Sequence, residues 1–184
     1  MRDLSLHLLD LAQNSITAGA KLVSIRLTIA SDGWLTMMLT DDGCGMSPEL
    51  LARVVSPFAT TRTTRKVGMG IPLMMENAQK AGGDMRLESE VGKGTTLTVT
   101  MDTGNIDCLP LGDLAGTLFT LIFMNPDKPD FLFEGKTSKG ECSVDTREIR
   151  EAAGGLPLNQ PDIAAWLSGA IKEELDPIFG GVDL

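Results

Sequence analysis

Lys66-Val67-Gly68-Met69-Gly70-Ile71-Pro72-Leu73 is the stretch on which the fold turns. Two glycines one residue apart make a loop whose amides can face an anion, because glycine reaches backbone angles that other residues resist. Pro72 suits the first turn of a helix, where its missing N–H is an orphan in any case. Such a helix offers its positive end to phosphate oxygens. A lone Gly-x-Gly is common in loops, so its neighbours carry the argument. Upstream lie Asp41-Asp42-Gly43-Cys44-Gly45-Met46 and, earlier, Asp10 and Asn14 on an apolar N-terminal segment. Downstream lies Gly92-Lys93-Gly94-Thr95. Together, in this order, they point to a nucleotide site. It is not a Rossmann site, since Leu73 stands where a dinucleotide fingerprint has its third Gly. Nor does Gly135-Lys136-Thr137 end a P-loop, since Asp130 occupies the first Gly position.

Periodicity places these motifs. Leu4, Leu8, Leu11 and Ser15 recur at helical spacing, so residues 3–17 read as an amphipathic helix. At about 100° per residue, His7 and Asn14 fall on nearly the same side, with Asp10 between them axially, so the three share a polar-edged face. Val23, Ile25, Leu27 and Ile29 alternate as a strand. Asp32-Gly33 turns the chain, and residues 34–40 form a second strand that delivers Asp41. Ser47-Pro48-Glu49 opens a short helix. Residues 56–69 lack periodicity and read as a mobile lid. A helix runs from about Pro72 to Lys80 and ends at Gly82-Gly83. Residues 85–90 and 95–101 form a hairpin around Gly92-Lys93-Gly94. Further on, residues 118–124, 130–134 and 143–145 read as strands, with Asn125-Pro126-Asp127 as a turn. Asp145-Thr146-Arg147-Glu148 reads as a capping box, and residues 161–175 as an amphipathic helix.

Composition excludes several classes. A chain of 184 residues with 42% hydrophobic content can bury a core and shows no wholesale disorder. No apolar run approaches the roughly 20 residues of a membrane span. A net charge of −9 argues against nonspecific nucleic-acid binding. Arg62, Arg65 and Lys66 are a local exception, suited to a triphosphate. Cys44, Cys108 and Cys142 are widely spaced and stand with a single His. A zinc or iron–sulfur site is therefore not expected, and free thiols in a reducing cytoplasm are. Met69, Met74, Met75 and Met85 read as packing residues.

The ordered motifs resemble the GHKL ATPases, which include gyrase-type topoisomerases, heat-shock chaperone ATPases, sensor histidine kinases and mismatch-repair ATPases. Residues 9–20 are similar to the family's N box, with the Ala18-Gly19-Ala20 ending of its mismatch-repair members. Pro57-Phe58-Ala59-Thr60-Thr61-Arg62 resembles the F box of histidine kinases. Residues 68–73 resemble the second glycine box, and 82–95 the tail of the kinase domain. The N box usually has Glu where this chain has Asp10. The resemblance covers about residues 4–101. It implies an α+β fold: a two-layer α/β sandwich of the histidine-kinase ATPase (Bergerat) type with a mixed sheet and a small α+β C-terminal extension. Residues 1–104 would be the ATP-binding domain and 105–184 the extension. The helical dimerisation and phosphoacceptor domain of a sensor kinase is not expected within these residues.

By the same resemblance, Asp41 accepts from the adenine amine, with Gly43, Gly45 and Met46 beside the base and Thr95 helping through water. Gly43 and Gly45 would let the backbone approach the base without a Cβ. Gly68, Met69, Gly70 and Ile71 would cradle phosphates, with Phe58, Arg62 and Lys66 from the lid. Asn14 would hold Mg²⁺, and Asp10 would orient or deprotonate a water or a partner's hydroxyl. His7 is not expected to be a phosphoacceptor, since in the family that residue lies in a separate helical domain. The implied function is a cytoplasmic Mg-ATP-binding regulator that phosphorylates a partner protein. The alternative is an ATP-gated switch with slow hydrolysis and no phosphoprotein. Whether the chain is an ATPase or a protein kinase stays open here. A protein partner is expected and a homodimer is admitted; nucleic acid and membrane are not expected. The extension carries no chemical motif, and is expected to bind the partner or a second copy or, failing that, to cover the ATPase sheet.

Overall fold

The first helix starts where the sequence supplies a cap. In the computed structural model, which describes residues 2–55 and 70–182, α1 runs Leu4–Thr17. The Asp3 carboxylate accepts from the Leu6 amide at 2.9 Å, satisfying one orphan donor of the first turn. Leu4, Leu8, Leu11 and Ala12 form its buried stripe. The alternating segments become β1 (Leu22–Ile29) and β2 (Trp34–Asp41), paired antiparallel. Helix α2 (Pro48–Val55) and helix α3 (Gly70–Lys80) follow. The hairpin is β3 (Asp84–Glu90) and β4 (Gly94–Asp102). All of these match the sequence expectations within a few residues. The expected lid, residues 56–69, lies outside the described residues.

Residues 118–124 are not a strand but the end of α4 (Leu114–Met124). A short apolar run is compatible with either state, and its neighbours arbitrate. Asp113 caps the helix by accepting from the Gly116 amide at 2.8 Å. Leu114, Leu118, Leu121 and Ile122 then recur at helical spacing on the buried side. Residues 130–134 and 143–145 do lie in strands, β5 (Asp130–Thr137) and β6 (Gly140–Asp145). Asp145 caps α5 (Thr146–Ala152) through the Arg147 amide at 2.9 Å. Helix α6 (Pro161–Phe179) continues past Leu175 and through Pro177. Its last turn buries Ile178 and Phe179, and Phe179 fills the space that a side chain on Gly135 would need.

The strands form one six-stranded sheet in the order β3-β4-β2-β1-β5-β6. Every pairing is antiparallel except β1 with β5. Val23, Ile25, Leu27, Leu35, Met37, Leu39, Leu97, Val99, Met101, Phe131 and Phe133 fill the core. Helices α1, α3 and α6 pack against the sheet, and α4 bridges α1 and α6. The alternate residues, among them Arg26, Thr36, Thr98 and Glu134, stay partly or fully exposed, as in an antiparallel sheet with one solvated face. The expected two-layer α/β sandwich is therefore observed, and the C-terminal region adds two strands to the same sheet. Among the described residues, no helix is long and apolar enough to cross a membrane. All three cysteines are free thiols. Burial pushes the Cys142 thiol up to about 11 and raises Cys108 as well, so both behave as packing groups.

Candidate functional site

Asp41 ends β2 as a buried carboxylate, and burial of a charge demands hydrogen bonds. Ser15, on the apolar stripe of α1, donates its hydroxyl to Asp41 Oδ2 at 2.6 Å. The Gly43 amide donates to Oδ1 at 2.9 Å. An ionised carboxylate offers about four lone-pair sites, so acceptor capacity remains for a ligand donor. The hollow beside Asp41 measures about 290 Å³. Its walls are mainly Leu11, Leu39, Leu50, Val54, Ile71, Leu87 and Leu97, with Asn14, Ser15, Thr17, Asp41 and Thr95 as polar groups. An apolar slot with few convergent polar groups suits a flat heteroaromatic ligand.

The adjacent Asp42 does other work. It accepts from the Lys21 and Leu22 amides at 2.7 and 2.9 Å, fastening the start of β1 to the end of β2. The Leu22 amide leads in holding its carboxyl below the usual carboxylate range. Thr95 faces Asp41 across the β2–β4 pairing. Its Oγ1 lies 2.9 Å from Ser89 Oγ, which accepts from the Met46 amide at 2.8 Å and donates to the Gly94 carbonyl at 2.9 Å. Ser89 thus ties the Gly43–Met46 loop to the hairpin.

The glycines of that loop face protein rather than open space. A Cβ on Gly43 would lie 2.9 Å from Ala18 Cβ, and one on Gly45 would lie 2.0 Å from the Glu90 carbonyl oxygen. Their smallness is required for the loop to pass between α1 and the hairpin. The close neighbours of both glycines are other parts of the chain.

Gly70 is the first described residue of α3, and a Cβ there would stand 1.9 Å from Asp10 Oδ2. Asp10 therefore abuts the positive end of a helix, a favourable place for a carboxylate. His7, earlier on α1, meets Asn77, later on α3, at 3.0 Å. The two helices thus run in opposite senses, and α3 covers His7 but not Asn14. The expected common face of His7, Asp10 and Asn14 is accordingly divided. His7 is buried, Asp10 half-buried and Asn14 exposed at the rim of the hollow.

Asn14, Asp41, Gly45, Met46, Ile71 and Thr95 all line the hollow. Gly43 stands behind Asp41. Asp10 lies beyond Gly70, where it walls a second, apolar groove with Leu6, Leu9, Leu121 and Met124. Phe58, Arg62, Lys66, Gly68 and Met69 lie outside the described residues. Ser15 and Ser89 were not among the expected site residues. Ser15 had a signal, a hydroxyl on an otherwise apolar helical stripe; Ser89 had none, since only the hairpin register brings it to Met46.

The histidine kinase-, DNA gyrase B- and HSP90-like ATPase family model matches residues 2–105. The histidine protein kinase DivJ of Caulobacter vibrioides is 38% identical over 74 residues, which is 38% of this chain and 12% of that protein. Sporulation kinase D of Bacillus subtilis is 33% identical over 97 residues, 51% of this chain and 19% of that protein. This chain therefore spans only a small part of these relatives. A crystal structure of the N-terminal domain of a DNA repair protein matches with a TM-score of 0.54 and 15% identity. That likeness, one of fold, covers 98% of this chain and 58% of the other.

Proposed function

The chain belongs to the histidine kinase-, DNA gyrase B- and HSP90-like ATPase family, and from that membership we propose that it binds ATP with Mg²⁺ and passes the γ-phosphoryl group to a partner protein. The observation that carries the nucleotide reading is the Asp41 carboxylate, fixed by Ser15 and Gly43 in an apolar hollow. A fixed acceptor there favours a base with an exocyclic amine over one with a carbonyl in that place, since two acceptors face to face leave both unpaired. Asn14, exposed at the rim, offers a neutral oxygen, and Mg²⁺ keeps several waters and needs few protein ligands. Bound Mg²⁺ would neutralise phosphate charge. The amino end of α3 supports the same use, with Asp10 beside it as the proton acceptor. Transfer breaks the bond from the γ-phosphorus to the β–γ bridging oxygen and forms one to the acceptor atom. ADP leaves, and the acceptor's proton passes to Asp10.

The test combines calorimetry with ATP, ADP and GTP and the fate of labelled γ-phosphate in the presence of co-purified partners. ATP should bind in preference to GTP, and label should appear on protein. Label recovered as inorganic phosphate would overturn the transfer step and leave an ATP-gated switch. Equal or absent binding of all three nucleotides would overturn the pocket itself.

A further inference from the structure

His7 is the single histidine of the chain and is 1% exposed, in the seam between α1 and α3. Its Nε2 lies 3.0 Å from the Asn77 side-chain nitrogen. Its Nδ1 is buried with no partner among the described residues. A neutral ring satisfies Asn77 in either tautomer: the amide donates to a bare Nε2 or, turned over, accepts from Nε2–H. The imidazolium excludes the first arrangement and, in the second, keeps the Asn77 bond but fails at Nδ1. It carries a proton on both nitrogens, and a charged N–H at Nδ1 would be buried without an acceptor.

The surroundings do little to relieve that cost. Burial is the leading cause that holds the imidazole below its ordinary value; the amino-terminal charge adds to it, and the carboxylates of Asp10 and Asp3 oppose it. On α3 the charged residues are Glu76 and Lys80, which pair with each other at 2.7 Å on the exposed side. Helix α4, also against α1, contains no charged residue. Asp41 beneath α1 is held by Ser15 and Gly43.

The pair has leverage because of where it stands. His7 is about one turn from Asp10 and two from Asn14, and Asn77 is about two turns from Gly70. The His7–Asn77 contact and the Asp10–Gly70 contact together set how α3 sits on α1. We propose that His7 is a positioning residue: as a neutral imidazole it pins α3 to α1 across Asn77, and its protonation releases α3 so that nucleotide binding weakens on acidification. The second half rests on the nucleotide reading above; the pin does not.

His7→Gln separates these parts, because glutamine keeps an amide near the Nε2 position and cannot titrate. The full chain and this variant are compared at about pH 7.5 and about pH 5.5, on either side of an ordinary histidine value. Without nucleotide, α3 amides of the native protein should exchange faster than those of the variant at the acid pH only. With Mg-ATP, native affinity should fall below the variant's by on the order of tenfold, the factor that one unit of pKa represents. The ratio cancels any titration of the nucleotide. Equal exchange and equal affinity in both proteins at acid pH would overturn the proposal. If exchange separates them but neither binds ATP, the nucleotide reading fails and the pin stands. Should the variant unfold, the imidazole resonances of the native protein still decide, because there is one histidine to follow. Protonation at the ordinary value with no change in α3 exchange would overturn the pin.

Discussion

Gly45 and Gly70 both exclude a side chain, but the obstacles differ in kind. At Gly45 the backbone has φ +65°, and the atom in the way is the Glu90 carbonyl oxygen of the hairpin. Neither can move without breaking the β3–β4 turn. At Gly70 the obstacle is the tip of the Asp10 side chain, which can rotate away, and alanine is the better helix former by up to about 1 kcal/mol. Gly45→Ala is therefore predicted to cost about 2 kcal/mol or more in stability. Gly70→Ala should leave the denaturation midpoint nearly unchanged while reducing turnover, by up to about 10²-fold if Asp10 works from its present position. Denaturant melts and the labelled-phosphate assay read the two effects separately. A Gly45→Ala protein as stable as the native one, or a Gly70→Ala protein with native turnover, would contradict the assignment at that residue.

At the scale of elements, β5 is fastened at its first residue. The Asp130 carboxylate accepts from Lys128 Nζ at 2.9 Å, Arg150 Nε at 3.0 Å and Thr146 Oγ1 at 3.3 Å. The Phe131 amide donates to Thr146 Oγ1 at 2.8 Å, so the start of β5 and helix α5 share one polar cluster. Burial pushes the Asp130 carboxyl up, but the hydrogen bonds and charges of Lys128 and Arg150 outweigh it and hold it below its ordinary value. A lowered carboxyl stabilises the fold above its unfolded value, near 3.9, and that stabilisation is lost as pH falls below it. Asp130→Asn should cost about 2 kcal/mol at neutral pH, and the gap should close as pH falls below about 4. A gap that is constant with pH would mean that the carboxylate's charge plays no part. Much at this scale was legible in the sequence, because α1, β1, β2 and the hairpin each carry a clean period. The misread element was α4, whose apolar run is too short for its period to be told from a strand's. Its deciding signal, Asp113 as cap, lies upstream of the run. Helix α6 runs on past Leu175, where the sequence reading ended, because burial of Ile178 and Phe179 outweighs the one helical hydrogen bond missing at Pro177.

At the scale of the molecule, the question is whether residues 105–184 can be separated from the ATPase region. The motifs could not answer it, since the deciding contact joins strands far apart in the chain. Strand β5 pairs with β1, and the ion pair Arg26–Glu134 across them links residues 108 apart in sequence. Helix α4 packs on α1, the helix that carries Asp10, Asn14 and Ser15. Truncation after Asp102 would strip one flank of α1 and leave β1 as an open edge, whose unpaired N–H and C=O groups invite pairing with other chains. We predict that the full chain unfolds in one cooperative transition, and that the truncated chain is aggregated or expanded by size-exclusion chromatography and lacks that transition. The extension would then support the site from behind, and any partner surface would lie on its outer faces. A truncated chain that keeps the native denaturation midpoint and still binds ATP would show the opposite. Residues 105–184 would then be a separable module, and a partner or second copy lost on truncation would identify what it holds.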